Sequence, residues 1–180
     1  MRSIAPCALL LLAACGGVPA SNAPVGAPVE VAAVDGAVPF GEVAVACGVE
    51  GAALGTAIAA ESGYAIHDTD PSSTQPRAHH ITGFADGCPR RVVAALVLFG
   101  DVATHETMMS GGSADAAGDA TEAAYAAIRA EECGAPVGRP CAALGRLAAG
   151  TVFVSLYPAF GVAESVELLL HDGAVAATDL

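Results

Sequence analysis

Four of the six cysteines constrain the fold of this 180-residue chain more than any other feature. Cys47, Cys88, Cys133 and Cys141 form an even set, which predicts two disulfides in an exported protein. Four cysteines allow three pairings, and all three stay open. We favour Cys133–Cys141, because glycine and proline punctuate the segment between them, and this choice leaves Cys47–Cys88. Zinc binding by the four is the alternative, but their spacing does not fit a zinc site.

The N-terminal residues point to export. Arg2 supplies a positive charge, residues 8–12 form a short apolar run, and Leu12-Ala13-Ala14-Cys15 ends it. A run of this length cannot span a bilayer, which takes ~20 residues. The arrangement resembles the lipobox of bacterial lipoproteins. The resemblance implies a signal peptide over residues 1–14, cleavage before Cys15, and acylation of Cys15 with fatty acids such as palmitate. An ordinary secretory signal is the alternative.

Acylation would tether the chain to a membrane of the cell envelope. One acyl chain binds only marginally, at about 0.8 kcal/mol per buried methylene, but bacterial lipoproteins carry two or three chains. The residue after Cys15 is Gly16 and not Asp. By resemblance to enteric lipoproteins, this favours the outer membrane, with the protein facing the periplasm. The expected partners are the membrane, through the lipid, and an envelope protein or the cell wall.

The charge of the chain excludes several classes of function. Its 7 basic residues are all arginine and face 19 acidic ones, for a formal charge of −12. Loss of Arg2 with the leader would change −12 to −13. An acidic chain without a basic patch is not expected to bind nucleic acid. The absence of lysine excludes a P-loop, a Schiff-base or pyridoxal-phosphate enzyme and a Ser-x-x-Lys acylase. We expect no cofactor.

Composition divides the chain into three parts. Residues 1–14 are the leader, residues 15–39 hold the lipidated cysteine and a tether, and residues 40–180 form a globular domain. The tether is rich in Gly, Ala, Pro and Val and has no helical or strand period. As a flexible coil it would reach about 25–30 Å. The rest of the chain is long enough for one core, so we expect a single domain.

The first half of the domain is expected to be mostly strand. An Ala-rich helix over residues 50–61 comes first. Alternating and apolar runs then predict three strands, bounded by turn residues. These strands cover residues 64–68, 78–84 and 91–99.

The second half is expected to hold the helices and to end in strands. Helix signals are an Asp101 cap, a capping-box variant Asp119-x-x-Glu122 with Gly134 at the exit, and a helical turn over residues 144–149. A strand over residues 152–157 and a hairpin with a type I′ turn at Asp172-Gly173 follow. This order predicts an α+β fold: one small domain with a mainly antiparallel sheet, and helices inserted between the third strand and the C-terminal strands.

Three groups of short motifs carry a resemblance to a family. They are Thr82-Gly83-Phe84 with Asp86-Gly87-Cys88, Phe99-Gly100-Asp101 with Thr104-His105-Glu106, and Leu168-Leu169-Leu170-His171-Asp172-Gly173. Between residues 63 and 173 the chain resembles an uncharacterised family of Gram-negative envelope lipoproteins. The resemblance supports the domain boundary and the disulfides, and it implies no activity.

The strongest candidate for a metal site combines two motifs. They are His67-Asp68-x-Asp70 and His79-His80, which a hairpin would bring to one end of the sheet. Imidazoles and carboxylates suit zinc or another divalent ion. However, neighbouring residues of a strand point to opposite faces, so His79 and His80 cannot both bind one ion without a bulge. Two ordinary strand histidines and an acidic turn are the favoured interpretation.

Two further motifs resemble catalytic signatures but are incomplete. His105-Glu106 begins a zincin motif, but Met109 stands where the second histidine ligand is needed. We therefore expect His105 on the helix surface or at a cap. Ser113 lacks the glycine that a nucleophile elbow needs two residues later, where Asp115 stands. No residue is therefore assigned a catalytic role.

The hypothesis that the sequence favours is a non-catalytic envelope lipoprotein, a tethered module that binds a partner or acts structurally. The alternative is a small periplasmic metal-binding protein or enzyme that uses His67, Asp68, Asp70 and one of His79 or His80. Intact catalytic motifs are missing, so we lean against an enzyme.

Overall fold

The computed structural model describes residues 36–110, 119–135 and 139–179. Within these ranges the chain forms nine strands and three α-helices, which confirms the α+β class. The strands are β1 (Ala44–Val45), β2 (Thr56–Glu61), β3 (Tyr64–Asp68), β4 (Arg77–Thr82), β5 (Arg90–Ala94), β6 (Leu96–Gly100), β7 (Thr151–Tyr157), β8 (Val166–His171) and β9 (Ala174–Thr178). The helices are α1 (Val102–Ser110), α2 (Ala120–Cys133) and α3 (Leu144–Gly150).

The strands form two antiparallel sheets, where the sequence predicts one. The first sheet has the order β1-β5-β4-β3-β2, and the second has the order β6-β7-β8-β9. The expected third strand over residues 91–99 is in fact two strands, β5 and β6, one in each sheet. The chain crosses between the sheets at Ala95, whose amide donates to the Tyr157 carbonyl at 2.9 Å. A continuous apolar run does not reveal such a crossing, because both of its halves are buried. The helices consequently follow the sixth strand, not the third.

The molecule has three layers, with the second sheet in the middle. One core lies between the two sheets and joins residues such as Ile66 and Val92 of the first sheet to Val154 and Leu168 of the second. Another core covers the opposite face of the second sheet and consists of Phe153 and Leu169 with helix residues; these are Val102, Ala124, Tyr125, Ile128 and Leu147. Because the middle sheet is covered on both faces, β7 and β8 are apolar along most of their length.

The prediction of a helix over residues 50–61 is wrong. Gly51–Leu54 forms one turn of 3-10 helix, and the rest of the segment is strand β2, paired with β3. Gly55 separates the two with a φ of 98°, and a Cβ there would lie 2.3 Å from the Asp68 carbonyl oxygen. Alanine favours a helix by intrinsic propensity, but that preference is weak, and pairing with β3 outweighs it.

The C-terminal hairpin is confirmed. His171 and Ala174 are paired, so the loop between β8 and β9 has two residues. Asp172 and Gly173 have φ values of 44° and 77°, which are the left-handed conformations that a type I′ turn requires. Ser62 and Gly63 join β2 to β3 through a second two-residue turn with φ values of 50° and 83°.

The helix ends agree only partly with the sequence signals. Asp101 caps α1 as expected, accepting the Thr104 amide at 2.8 Å. Gly134 ends α2 in the left-handed conformation, also as expected. Asp119 occupies the N-cap of α2, but its side chain makes no capping hydrogen bond, so the capping-box prediction is wrong. The carboxylate of Asp179 caps α2 instead, accepting a hydrogen bond from the Thr121 amide at 3.1 Å.

Two disulfides close the pairs that the sequence analysis favoured. Cys47–Cys88 joins the segment after β1 to the segment before β5, and Cys133–Cys141 joins the end of α2 to the chain leading into α3. Val38 is 4% exposed, so buried residues begin just before the boundary that we placed at residue 40.

Candidate functional site

The structure divides the candidate metal ligands between the two faces of the first sheet. In the register of β3 and β4, His79 lies opposite Asp68, and His80 lies opposite His67. The His79 Nε2 is 3.3 Å from an Asp68 oxygen on one face. On the other face, the His80 Nδ1 lies 2.9 Å from the Leu54 carbonyl oxygen. The strand geometry therefore separates the two histidines, as the alternation argument predicts.

Asp68 is already neutralised by an arginine. The Arg77 Nε donates to Asp68 at 2.8 Å, and a second guanidinium nitrogen donates to the other carboxylate oxygen. Burial by itself raises the pKa of Asp68, but the hydrogen bonds from Arg77 and from the Asp70 amide hold it below its ordinary value. Burial also lowers the pKa of His79. This buried group locks β3 to β4 and offers no free carboxylate to an ion.

The remaining ligand candidate, Asp70, belongs to the turn after β3. Its side chain accepts hydrogen bonds from the amide and the hydroxyl of Ser72, as in an Asx turn. Across the part of the chain that the structure describes, no three His, Cys, Asp or Glu side chains are grouped as metal ligands would be. The metal-binding alternative therefore has no geometric support at these residues.

A cleft on the other side of the molecule is the better candidate. Among the described residues, it lies between α1, the start of α2 and one end of the second sheet, and its volume is about 420 Å³. Pockets that bind small molecules have volumes of roughly 300–1,000 Å³. We call it the acidic cleft, and its lining residues are Phe99, Gly100, Asp101, Thr104, His105, Met108, Asp119, Thr121, Glu122, Phe153, Ser155, Glu167 and Asp179.

Rings and a thioether form the apolar part of the acidic cleft. The His105 imidazole stacks on the Phe153 ring, with centroids 4.3 Å apart and planes 26° apart. Tyr125 meets the His105 ring edge-on from behind, at 4.7 Å. Met108 is 59% exposed, the largest value among the large apolar residues in the described part of the chain. His105 is thus part of an aromatic cluster, and the expectation of a surface or capping histidine is wrong.

Among the described residues, five with carboxyl side chains line the same cleft, and none of the lining residues is an arginine. Two of them, Asp101 and Asp179, accept amide hydrogen bonds at the N-termini of α1 and α2. Negative groups at these positions are stabilised by the helix dipoles, so both have a structural role. The other three are Asp119, Glu122 and Glu167.

Glu167 is the carboxyl group most affected by the cleft. It stands opposite Ser155 in the second sheet, on the face that carries Phe153. It accepts hydrogen bonds from Ser155 at 3.0 Å and Ser165 at 2.7 Å. The pKa of Glu167 is raised above its ordinary value, and burial is the largest cause. The hydrogen bonds from the two serines lower the pKa, and the nearby Asp179 and Glu122 carboxylates raise it further. Glu167 is therefore a partly buried carboxylate of the cleft that has no basic partner among the described residues.

Glu122 faces the ring stack. Its Oε2 is 3.4 Å from the Nε2 of His105, and that nitrogen is buried and has no hydrogen-bond partner in the described part of the chain. The hydroxyl of Ser155 donates to Glu167 and not to an imidazole. The described residues of the cleft therefore do not include the paired hydroxyl and imidazole that activate a serine nucleophile.

An ion pair behind the cleft fixes the two helices that form its walls. The guanidinium of Arg129 in α2 is fully buried and donates to Glu106 of α1 at 2.6 and 2.9 Å. It also donates to the carbonyl of Ala135 at 2.8 Å, and the Tyr125 hydroxyl donates to Glu106 at 2.6 Å. The Arg129 hydrogen bonds hold the pKa of Glu106 below its ordinary value. Glu106, which the sequence placed in an incomplete zincin motif, is thus a structural carboxylate.

Several residues of interest lie outside the described ranges. Cys15 and the rest of the predicted lipobox are among them, as are Ser113 and Asp115. In the helices that the structure does describe, none has both the length and the apolar character needed to cross a membrane.

The chain matches no protein-family model, and no curated protein or solved structure matches it either. The resemblance to Gram-negative envelope lipoproteins thus depends on the sequence motifs alone and stays a prediction.

Proposed function

We propose that this protein is a lipid-anchored envelope protein whose globular part is a non-catalytic binding module. The observation that carries the binding role is the acidic cleft: it has the volume of a ligand site, an apolar side and a polar side. Among its described residues, the serine of the cleft, Ser155, is hydrogen-bonded to a carboxylate, and the imidazole is stacked on Phe153. An arrangement of this kind suits recognition better than catalysis.

The anchor at Cys15 is supported by two features. The first is the order of residues in Leu12-Ala13-Ala14-Cys15 after an apolar run. The second is the presence of two disulfides in the domain, since such bonds persist in oxidising compartments such as the periplasm. Because Gly16 and not Asp follows Cys15, we expect attachment to the outer membrane, with the domain facing the periplasm.

Metabolic labelling tests the anchor. The full chain would be expressed in a Gram-negative host supplied with labelled palmitate, next to the variants Cys15→Ser and Cys7→Ser. We expect label in the wild type and in Cys7→Ser but not in Cys15→Ser, and we expect the labelled protein in the outer-membrane fraction. Equal labelling of all three proteins, or of none, would refute lipidation at Cys15. Recovery in the inner membrane would refute only the location.

Crosslinking in intact cells tests the binding role. A photo-reactive residue placed at Met108, on the exposed rim of the cleft, would be compared with one at Glu61 on the first sheet. If the cleft is a binding site, the residue at Met108 should give a defined crosslinked product, or a product that a soluble ligand suppresses. The residue at Glu61 should show neither. The same pattern at both positions would contradict a role for the cleft.

A further inference from the structure

We propose that the acidic cleft binds an organic cation: an ammonium group carried on a flat apolar body. This inference deepens the proposed binding function and depends on it. It assigns the apolar body to the side of the cleft formed by Phe153, His105 and Met108. It assigns the ammonium group to Glu122 and Glu167.

The volume and the lining of the cleft are the first reason for this proposal. Carboxylates alone would not make a site, and two of the five here are explained as helix caps. What distinguishes this place is a cavity of about 420 Å³ that is bounded by a stacked ring pair and by Met108. A cavity of this size and mixed lining suits a small amphipathic molecule.

The charge of the cleft is the second reason. Its lining, as far as the described residues form it, includes five carboxyl groups and no arginine, in a chain with a formal charge of −12. Arg129, in the neighbouring helix α2, is directed to Glu106 and to carbonyl groups outside the lining. A cleft lined by one sign of charge concentrates ligands of the opposite sign and repels anions. The partly buried Glu167 gains most from such a ligand, because a cation would offset the desolvation of its charge.

The arrangement of the carboxyl groups favours an organic cation over a metal ion. Calcium takes six to eight oxygen ligands. Here the Asp101 and Asp179 oxygens accept bonds from helix amides and hydroxyls, and those of Glu167 accept bonds from two serines. The described residues contain no group of three potential metal ligands. By contrast, an apolar wall beside carboxylates suits an organic cation, because its hydrocarbon part packs on the wall while its ammonium group pairs with the carboxylates.

Titration of the full lipidated chain in neutral-detergent micelles tests this proposal, with empty micelles as the blank. The probe is benzylamine, with benzyl alcohol and benzoate as neutral and anionic counterparts of similar shape. Binding would be followed by amide resonances of the ¹⁵N-labelled protein. We expect saturable shifts with benzylamine at millimolar concentration, at least tenfold weaker shifts with benzyl alcohol, and none with benzoate.

Three variants locate the site. Glu122→Gln and Glu167→Gln should each weaken benzylamine binding about tenfold, whereas Glu61→Gln, an exposed carboxyl group on the first sheet, should leave it unchanged. Circular dichroism, together with a protein mass that matches two formed disulfides, would show that each variant is folded. No saturable binding to the folded wild type would overturn the proposal, as would unchanged binding in both cleft variants.

Two other outcomes would also overturn it. Equal affinity for benzyl alcohol would make the cleft an apolar site, and displacement of benzylamine by millimolar calcium would make it a metal site. Neither result bears on palmitate labelling or on crosslinking at Met108, so failure of this inference is distinguishable from failure of the proposed function.

Discussion

Asp179 and Thr121 join the end of the described chain to the start of helix α2. An Asp179 oxygen accepts the Thr121 amide at 3.1 Å, and the other accepts the Thr121 hydroxyl. The two residues are 58 positions apart in the sequence, and both line the acidic cleft. A helix N-terminus leaves amides unpaired, and an acceptor from any part of the chain can satisfy them. The helix is therefore capped by a tertiary contact.

Removal of that cap should destabilise the protein. We expect Asp179→Ala to lower the free energy of unfolding by about 1 kcal/mol, because the Thr121 amide loses its acceptor. Asp119→Ala is the matched control: this residue occupies the N-cap position, but its side chain makes no capping bond. Its effect should stay within about 0.5 kcal/mol. Urea denaturation measures both, and a larger loss in Asp119→Ala would contradict the assignment.

Loss of the buried arginine should be more severe. Arg129→Met leaves the Glu106 carboxylate without its ion-pair partner in a largely buried site, which typically costs about 3–5 kcal/mol. Arg146→Met is the control, because Arg146 pairs with Glu132 while its side chain is 69% exposed, and such pairs contribute about 0–1 kcal/mol. Thermal unfolding of both variants checks the difference. Similar melting temperatures would mean that Arg129 does not hold α1 to α2.

The raised pKa of Glu167 predicts a pH-dependent gain in stability from Glu167→Gln. An acid whose pKa is higher in the folded than in the unfolded state is penalised when ionised, so folding is less favourable at neutral pH. The variant should be more stable than the wild type at pH 7, by up to about 1 kcal/mol for this partly exposed group. As the pH falls through the raised pKa toward the ordinary value of 4.5, the advantage should disappear. Unfolding measured from pH 7 to pH 4 tests the sign, and a variant less stable than the wild type at pH 7 would contradict it.

Two glycines in equivalent hairpin turns should respond differently to alanine. Gly63 and Gly173 have φ values of 83° and 77°, so either substitution costs about 1–2 kcal/mol of backbone strain. A Cβ at Gly63 meets nothing within 4 Å, but one at Gly173 would lie 2.7 Å from the Ala85 amide nitrogen. Gly173→Ala should therefore lose roughly 1–3 kcal/mol more than Gly63→Ala. Equal losses in urea denaturation would show that Ala85 moves aside without penalty.

Local signals explain what the sequence predicted correctly. The Asp172-Gly173 turn, the Asp101 cap and the Gly134 helix end each depend on residues a few positions apart, and conformational preference decides them. The opposite directions of His79 and His80 follow from the alternation of any strand. The separation of β5 from β6 has no such signal, because Ala94 and Ala95 are equally buried on either side of the crossing.

The candidate site could not be found in the same way. In the sequence, its only signals are the incomplete zincin motif at His105 and the acidic residue Glu167, which lies beside leucines. Neither pattern is distinctive. The stacking of His105 on Phe153 and the pairing of Ser155 with Glu167 join separate elements. Only packing of the helices on the second sheet brings them to one cleft.

The sequence by itself determined the α+β class, the C-terminal hairpin and the excluded lysine chemistries, and it carries the resemblance to a lipobox from which we infer an anchor. Those properties depend on residue type and on short spacings, which a linear chain displays. The tertiary structure decided which carboxylate caps α2, which arginines neutralise Asp68 and Glu106, and which residues line the acidic cleft. Each of those outcomes is a contact between distant residues, and its energy depends on burial and distance, which exist only once the chain has folded.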